Sequence, residues 1–324
     1  MELCCLLCVG CAPSNSLIIF ILLNSHGPET FVATCVLQYV RGLYTQSIKP
    51  MIDFISTPPR DIRAMGRWVI LSNVIGNPSG EAFARHAAEA GCDLILLGRR
   101  SRKLDQFALD LDKLGYLGGA RTRIKTIAWN ERKDDIKDSS AFWIRVEEEI
   151  ASATTDGGLA LVVHCCSSRS NPSRPIMPSE GYSRRLISTA LPKLVFRNQG
   201  AIVCISTTEV FADVNTYPDR NDLVDCSQAC AAYSRQLIHS LHGKYRPLGI
   251  ECLAVSLCAS WNDPLSCPPK SIFARMVLRF LGPPRAQTIV EASLKALGRQ
   301  PELSPSESLF AQACRYNLQH EEKL

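Results

Sequence analysis

From residue 68 to residue 257 the chain alternates short, unbroken apolar runs with stretches of helical periodicity. The runs at 68–71, 93–98, 123–128, 159–163, 201–205 and 250–257 have strand length. Between them, 78–90 repeats its apolar residues at helical spacing and stops at Gly91, and 104–114 and 140–150 read as further helices. Strands of an antiparallel sheet with one wet face alternate apolar and polar residues. Except at 123–128, where Arg123, Lys125 and Thr126 intervene, these strands are apolar at nearly every position, so both of their faces must be covered. That pattern predicts an α/β domain with a Rossmann-like, doubly wound parallel sheet between two helical layers.

With 324 residues the chain can bury a core of this kind without disulfides or a structural metal. A hydrophobic share of 46% and a charged share of 21% exclude a disordered or fibrous protein. A net charge of +5 suits an anionic cofactor or a membrane surface, but it is far short of a nucleic-acid footprint. Fifteen cysteines, scattered along a long chain, read as reduced thiols of a cytosol-facing domain.

Residues 1–23 differ in kind: two apolar runs flank Pro13-Ser14-Asn15-Ser16, and Glu2 is the one charge. No basic n-region precedes them, so a membrane anchor or interfacial segment is expected rather than a cleaved signal. Its cysteines, spaced Cys5-x-x-Cys8 and Cys8-x-x-Cys11, lack a second ligand pair, which favours acylation over metal binding. Residues 31–55 suit a helix lying on a membrane or on the main domain. The expected division is an apolar membrane-associating segment over 1–56, a linker over 57–66, the Rossmann-type domain over 67–298 and a polar tail over 299–324. No metal site is expected.

Ligands of such sheets lie beyond the carboxyl ends of the strands, so the turn after the first strand is the place to look. There Ser72, Gly76, Asn77 and Gly80 are the candidates to meet a nucleotide, with Asn77 capping a helix that Pro78 begins. Arg99, Arg100, Arg102 and Lys103 follow the second strand, where cations favour NADP over NAD. The same residues read equally as an ordinary capped turn and a solvated helix start.

From about residue 43 to residue 298 the chain resembles the short-chain dehydrogenase/reductase family. The likeness is nearest the branch of 17-beta-hydroxysteroid dehydrogenases and very-long-chain 3-oxoacyl-CoA reductases. It is carried by Gly66-Arg67-Trp68-Val69-Ile70-Leu71-Ser72, Gly200-Ala201-Ile202-Val203-Cys204-Ile205-Ser206, Leu241-His242, Lys244-Tyr245 and Gly249-Ile250. That branch also has an apolar N-terminal segment. The resemblance implies a nicotinamide cofactor, a Tyr-x-x-x-Lys pair one helical turn apart and a serine on the preceding strand. In such a set the tyrosine exchanges a proton with the substrate oxygen while hydride moves.

Counting back from Gly249-Ile250 places the tyrosine position at Ser227, the lysine position at Ala231 and the serine position at Thr207. Serine is a far poorer acid than a phenol, and alanine carries no charge. Misalignment does not rescue the pair. The eight tyrosines are followed four residues later by Leu, Ile, Ala, Leu, Asn, Leu, Gly and His, so no Tyr-x-x-x-Lys occurs anywhere. Further departures are Asn73 for the first glycine of the cofactor loop, a longer loop into which Pro78 intrudes, and Trp129 for an adenine-contacting aspartate. Val163-His164-Cys165-Cys166 stands for Asn-Asn-x-Gly, Cys258 for a proline, and 179–191 reads as too short for a full helix.

The expectation is a catalytically inactive relative with a binding or assembly role, in a homo- or hetero-dimer with a related dehydrogenase and membrane-associated at the endoplasmic reticulum or mitochondrion. The alternative is an NADP-dependent reductase of a steroid or fatty acyl ketone with a non-standard acid such as Tyr217 or Tyr233. A hydrolase built from Ser227, Asp225, His239 and His242 is disfavoured. Offsets of 12 and 15 on one helix hold its parts several turns apart, and no nucleophile elbow is present.

Overall fold

The computed structural model describes residues 56–117, 122–129, 140–166, 179–208, 221–258 and 286–303. The chain divides into two compact units, Met1–Ser56 and Thr57–Leu324. Apart from Ser56, the apolar N-terminal segment lies outside the described residues, as do Tyr217 and all but the start of the tail.

The second unit opens with a single helical turn, α1 (Ile62–Met65), and then alternates as the sequence predicts. The order is β1 (Trp68–Ser72), α2 (Pro78–Glu89), β2 (Asp93–Arg99), α3 (Arg102–Leu117), β3 (Ile124–Trp129), α4 (Ser140–Thr155) and β4 (Leu159–Cys166). There follow α5 (Ser179–Arg197), β5 (Gly200–Thr208), α6 (Asn221–Tyr245), β6 (Ile250–Cys258), α7 (Ala286–Ala296) and β7 (Glu302–Leu303). The strands form one seven-stranded sheet in the order β3-β2-β1-β4-β5-β6-β7, every pairing parallel. After β3 the chain returns across the sheet and adds β4 beside β1, which makes the β1–β4 border the topological switch point. The fold is therefore the doubly wound α/β class that the apolar runs demand.

Burial follows position in the sheet. All five residues of β1 and all eight of β4 are buried, while edge strand β3 mixes Lys125 and Thr126 with Ile127. Two sequence expectations change. The stretch from Ser179 is not too short: α5 runs for 19 residues, because Tyr182, Leu186, Ala190 and Leu194 recur every fourth position as a buried stripe. Pro192 interrupts that helix only on its exposed side. Secondly, Glu302 and Leu303, within the stretch read as tail, supply the seventh strand, with Leu303 fully buried beside Val255.

The amino ends of the strands are tied by charge. The Asp93 carboxylate, buried at the start of β2, receives Arg67 at 2.7 Å and Arg123 at 2.6 Å. Arg123 also pairs with Asp156, after α4, and lies 4.9 Å over the Trp68 ring. The Trp68 indole N–H donates to the Asp156 carbonyl at 2.9 Å. One carboxylate thus links the entrances of β1, β2 and β3. Asp93→Ala leaves both guanidinium groups with only the more exposed Asp156 carboxylate as a shared anion. A loss of about 3 kcal/mol is expected, read as a lower denaturation midpoint at unchanged slope; a shift under about 0.5 kcal/mol would mean that solvent replaces the carboxylate.

Candidate functional site

At the opposite end, the turn from β1 to α2 is hydrogen-bonded to itself. Asn73 occupies the left-handed region at φ 57°, the conformation glycine adopts most readily, at the position the resemblance gives to a glycine, and donates its N–H to the Leu97 carbonyl at 2.9 Å. Asparagine is among the few other residues that tolerate this backbone. Asn77 caps α2 as expected: its Oδ1 accepts the Gly80 N–H at 3.1 Å. Pro78 begins the helix and is exposed, so the expected intrusion into the loop does not occur. Proline is suited to that position because its missing N–H would have no partner within the helix. The Gly76 N–H donates to the Glu81 carboxylate at 2.9 Å, so an acid of the helix's own first turn sits at its positive end. Gly80 brings helix and sheet into close contact, and a Cβ there would lie 2.5 Å from Cys165 Sγ.

Ser72, the candidate at the end of β1, is fully buried and faces inward. Its hydroxyl donates to Tyr182 Oη at 3.1 Å. His164, opposite Ser72 in the β1–β4 register, approaches the same Oγ with Nδ1 at 3.3 Å, and its Nε2 lies 2.6 Å from Ser183 Oγ. Since the Ser72 proton is committed to Tyr182, His164 Nδ1–H is the donor to Ser72 and Nε2 accepts from Ser183. A directed chain, Ser183 to His164 to Ser72 to Tyr182, thus closes the switch point. All four side chains are buried.

The chain resembles a nucleophile–base pair, yet its electrostatics oppose catalysis. Burial lowers the His164 pKa from 6.5 to about 4, and a serine stands where a carboxylate would support imidazolium. Ser183 is 1% exposed, which leaves a substrate no approach. The Tyr182 phenol, pushed well above its ordinary value by burial, is unsuited to acid–base work.

Around this chain the described residues form an aromatic wall. Trp129 lies 5.4 Å from Tyr182 and 5.7 Å from Phe142, and Tyr182 stacks on His164 at 5.7 Å. Trp129 thus packs into the core from the position that the resemblance gives to an adenine contact. Arg99 is exposed at the end of β2, and α3 begins after Ser101, whose Oγ accepts the Leu104 N–H at 3.2 Å. Arg100, Arg102 and Lys103 are exposed beside it.

Thr207 falls near the carboxyl end of β5, and Ser227 and Ala231 fall one turn apart in α6, which packs on β5 and β6. Their side chains lie outside the described residues. His239 Nε2 faces Glu302 at 3.3 Å and His242 Nδ1 faces the Cys252 carbonyl at 3.0 Å, so the two histidines converge on no common group. His164, Cys165 and Cys166 prove to be inside β4 rather than beyond it. Burial raises the thiol of Cys252 to about 12 and that of Cys92 to about 11, and that of Cys165 further, which disfavours thiolate. Among the described residues no three side chains are grouped to hold a metal.

Sequence reasoning missed the buried chain because Tyr182 and Ser183 lie in the segment read as truncated. The legible signal was His164, a lone polar residue in an otherwise apolar strand.

No protein-family model and no curated protein matches this sequence. Solved structures do. The bulky-bulky ketone specific alcohol dehydrogenase from Comamonas testosteroni is 17% identical in its orthorhombic crystal form, with 79% of this chain and 92% of that chain covered and a TM-score of 0.51. Its tetragonal form gives 16% identity, the same coverage and a TM-score of 0.50. A short-chain dehydrogenase from Sphingobium yanoikuyae in complex with NADPH is 18% identical, with 79% and 93% covered and a TM-score of 0.48. At such identities the likeness is one of fold, and it is the Comamonas enzyme that carries it.

Two measurements probe the site. Gly80→Ala drives a methyl into Cys165 and is expected to cost roughly 1–3 kcal/mol. Cys165→Ala in the same chain should recover part of that loss, and equal losses with and without it would show that Cys165 is not the obstacle. The second concerns acid. An unfolded imidazole takes a proton near pH 6.5 and the folded one near 4, so stability is full above 6.5 and declines as pH falls toward 4. Between pH 7 and 5 the native protein should lose about 2 kcal/mol more than His164→Gln, measured by denaturant unfolding.

Proposed function

We propose that this domain is a dehydrogenase-type scaffold of the short-chain dehydrogenase/reductase family in which hydride chemistry has been abandoned. It acts through binding or assembly, held at a membrane by its apolar N-terminal segment. The observation that carries this reading is the absence of any tyrosine followed one turn later by lysine. At the switch point neither titratable group takes over: Tyr182 is buried with a raised pKa, and the base-like His164 is uncharged and enclosed.

The residues of the first turn do not fit a nicotinamide dinucleotide. A pyrophosphate needs free amides at the helix N-terminus, whereas Gly76 and Gly80 donate to Glu81 and Asn77. The acceptors in those bonds are a carboxylate and an amide of the turn itself, and the carboxylate would repel a diphosphate. Ser72 is committed to Tyr182, so its hydroxyl faces away from the crevice. Arg99, with the exposed Arg100, Arg102 and Lys103 beside it, keeps positive charge at the rim, but rim cations without an open phosphate turn do not make a dinucleotide site.

NADPH fluorescence should therefore show no saturable change on titration up to about 1 mM, a binding free energy weaker than about −4 kcal/mol. Ser227→Tyr combined with Ala231→Lys should leave ketone reduction at background, because the nucleotide is not held. Saturable binding together with hydride transfer to any ketone would overturn the reading and favour an NADP-dependent reductase of a steroid or fatty acyl ketone.

A further inference from the structure

The end of the domain opposite the switch point carries a surface that neither the fold nor the crevice requires. Three turns meet there: the entry 57–66, the α5–β5 turn at Asn198 and the 3-10 turn Arg246–Leu248 before β6. They are joined in space. Arg197 Nη1 donates to the Met65 carbonyl at 3.3 Å, Gln199 Nε2 donates to the Ala64 carbonyl at 3.0 Å, and Gly249 lies against the Asn198 backbone. On this end Phe196 is 84% exposed and Leu248 42%. Lys244 and Arg246 are exposed beside Leu248. Asp61 caps α1, and Glu251 Oε1 accepts Arg60 at 2.9 Å. The surface is thus apolar at two points and positive around them.

We propose that this end rests on a lipid bilayer, with Phe196 and Leu248 entering the headgroup boundary and Lys244 and Arg246 facing anionic lipids. Isolated apolar side chains among cations suit an interface with lipid better than one with protein, which needs a broad apolar area. The proposal rests on the membrane reading of the proposed function.

The test is flotation of the full chain with vesicles of phosphatidylcholine alone and with about one-third phosphatidylserine added. It compares the native protein with Phe196→Ser/Leu248→Ser and with Lys244→Glu/Arg246→Glu. All four side chains are solvent-facing, so unchanged melting is the folding control. The expected result is tighter binding to the mixed vesicles, an increment that each double variant reduces on the order of tenfold. If native protein and variants float equally on both vesicles, the contact face is overturned and the N-terminal attachment stands. If binding requires phosphatidylserine and the variants abolish it, the face stands and the N-terminal attachment falls. Absence of flotation overturns both. A dimer in sedimentation that Phe196→Ser/Leu248→Ser dissolves would assign the surface to a second copy and overturn the proposal.

Discussion

The pairing of β1 with β4 is the constraint on which the other features depend. It places Ser72 opposite His164 in the middle of an all-parallel sheet whose central strands are buried on both faces. A polar side chain there has no water to turn to, and an unsatisfied one costs about 1–3 kcal/mol. Ser72 and His164 therefore satisfy each other and recruit Ser183 and Tyr182 from α5. Once that chain forms, His164 must stay neutral, Tyr182 must stay protonated, and the hydroxyl nearest the crevice faces into the core. The closure of the switch point is a packing result with chemical consequences.

The first turn shows the same economy. A loop that cradles phosphate leaves its amides and the helix N-terminus unsatisfied until the ligand arrives. Here Asn77 and Glu81 complete the turn from within, and Cys165 occupies the space against Gly80. Glu81 is well placed for stability, because an acid in the first turn of a helix interacts favourably with its dipole. The same charge works against a second anion. What stabilises the free turn thus disfavours the ligand.

Much of the fold was legible in the sequence because strands buried on both faces leave no choice of residue: the runs beginning at Trp68, Leu159 and Ala201 can be little else. Element ends were less legible. β4 continues through His164 to Cys166, since a polar residue inside a strand looks like its end until its partners are known. The helix at Ser179 was misjudged because Gly181 and Pro192 are weak helix formers that tertiary packing of Tyr182, Leu186, Ala190 and Leu194 overrides. At the site, the capping role of Asn77 was readable from the adjacent Pro78. The role of Glu81 was not, because a carboxylate reaching back five residues to the Gly76 N–H depends on the turn's geometry. The loss of Tyr-x-x-x-Lys needed no structure at all.

A Rossmann-type sheet ordinarily concentrates function at one end, because loops gather at the carboxyl ends of the strands while the amino ends only anchor them. In this chain the two ends differ otherwise. At the amino end Asp93 is enclosed by Arg67 and Arg123, a network that fixes the strand entrances rigidly. At the same end Phe196 and Leu248 stay exposed on turns held by other contacts, the α5–β5 turn by Arg197 and Gln199 and the turn before β6 by Gly249 against Asn198. At the carboxyl end Ser72 and His164 are satisfied internally, while Arg99, Arg100, Arg102 and Lys103 stay exposed beyond β2. Under the proposed reading a partner is met outside the crevice, on side chains the fold holds in place but does not itself use.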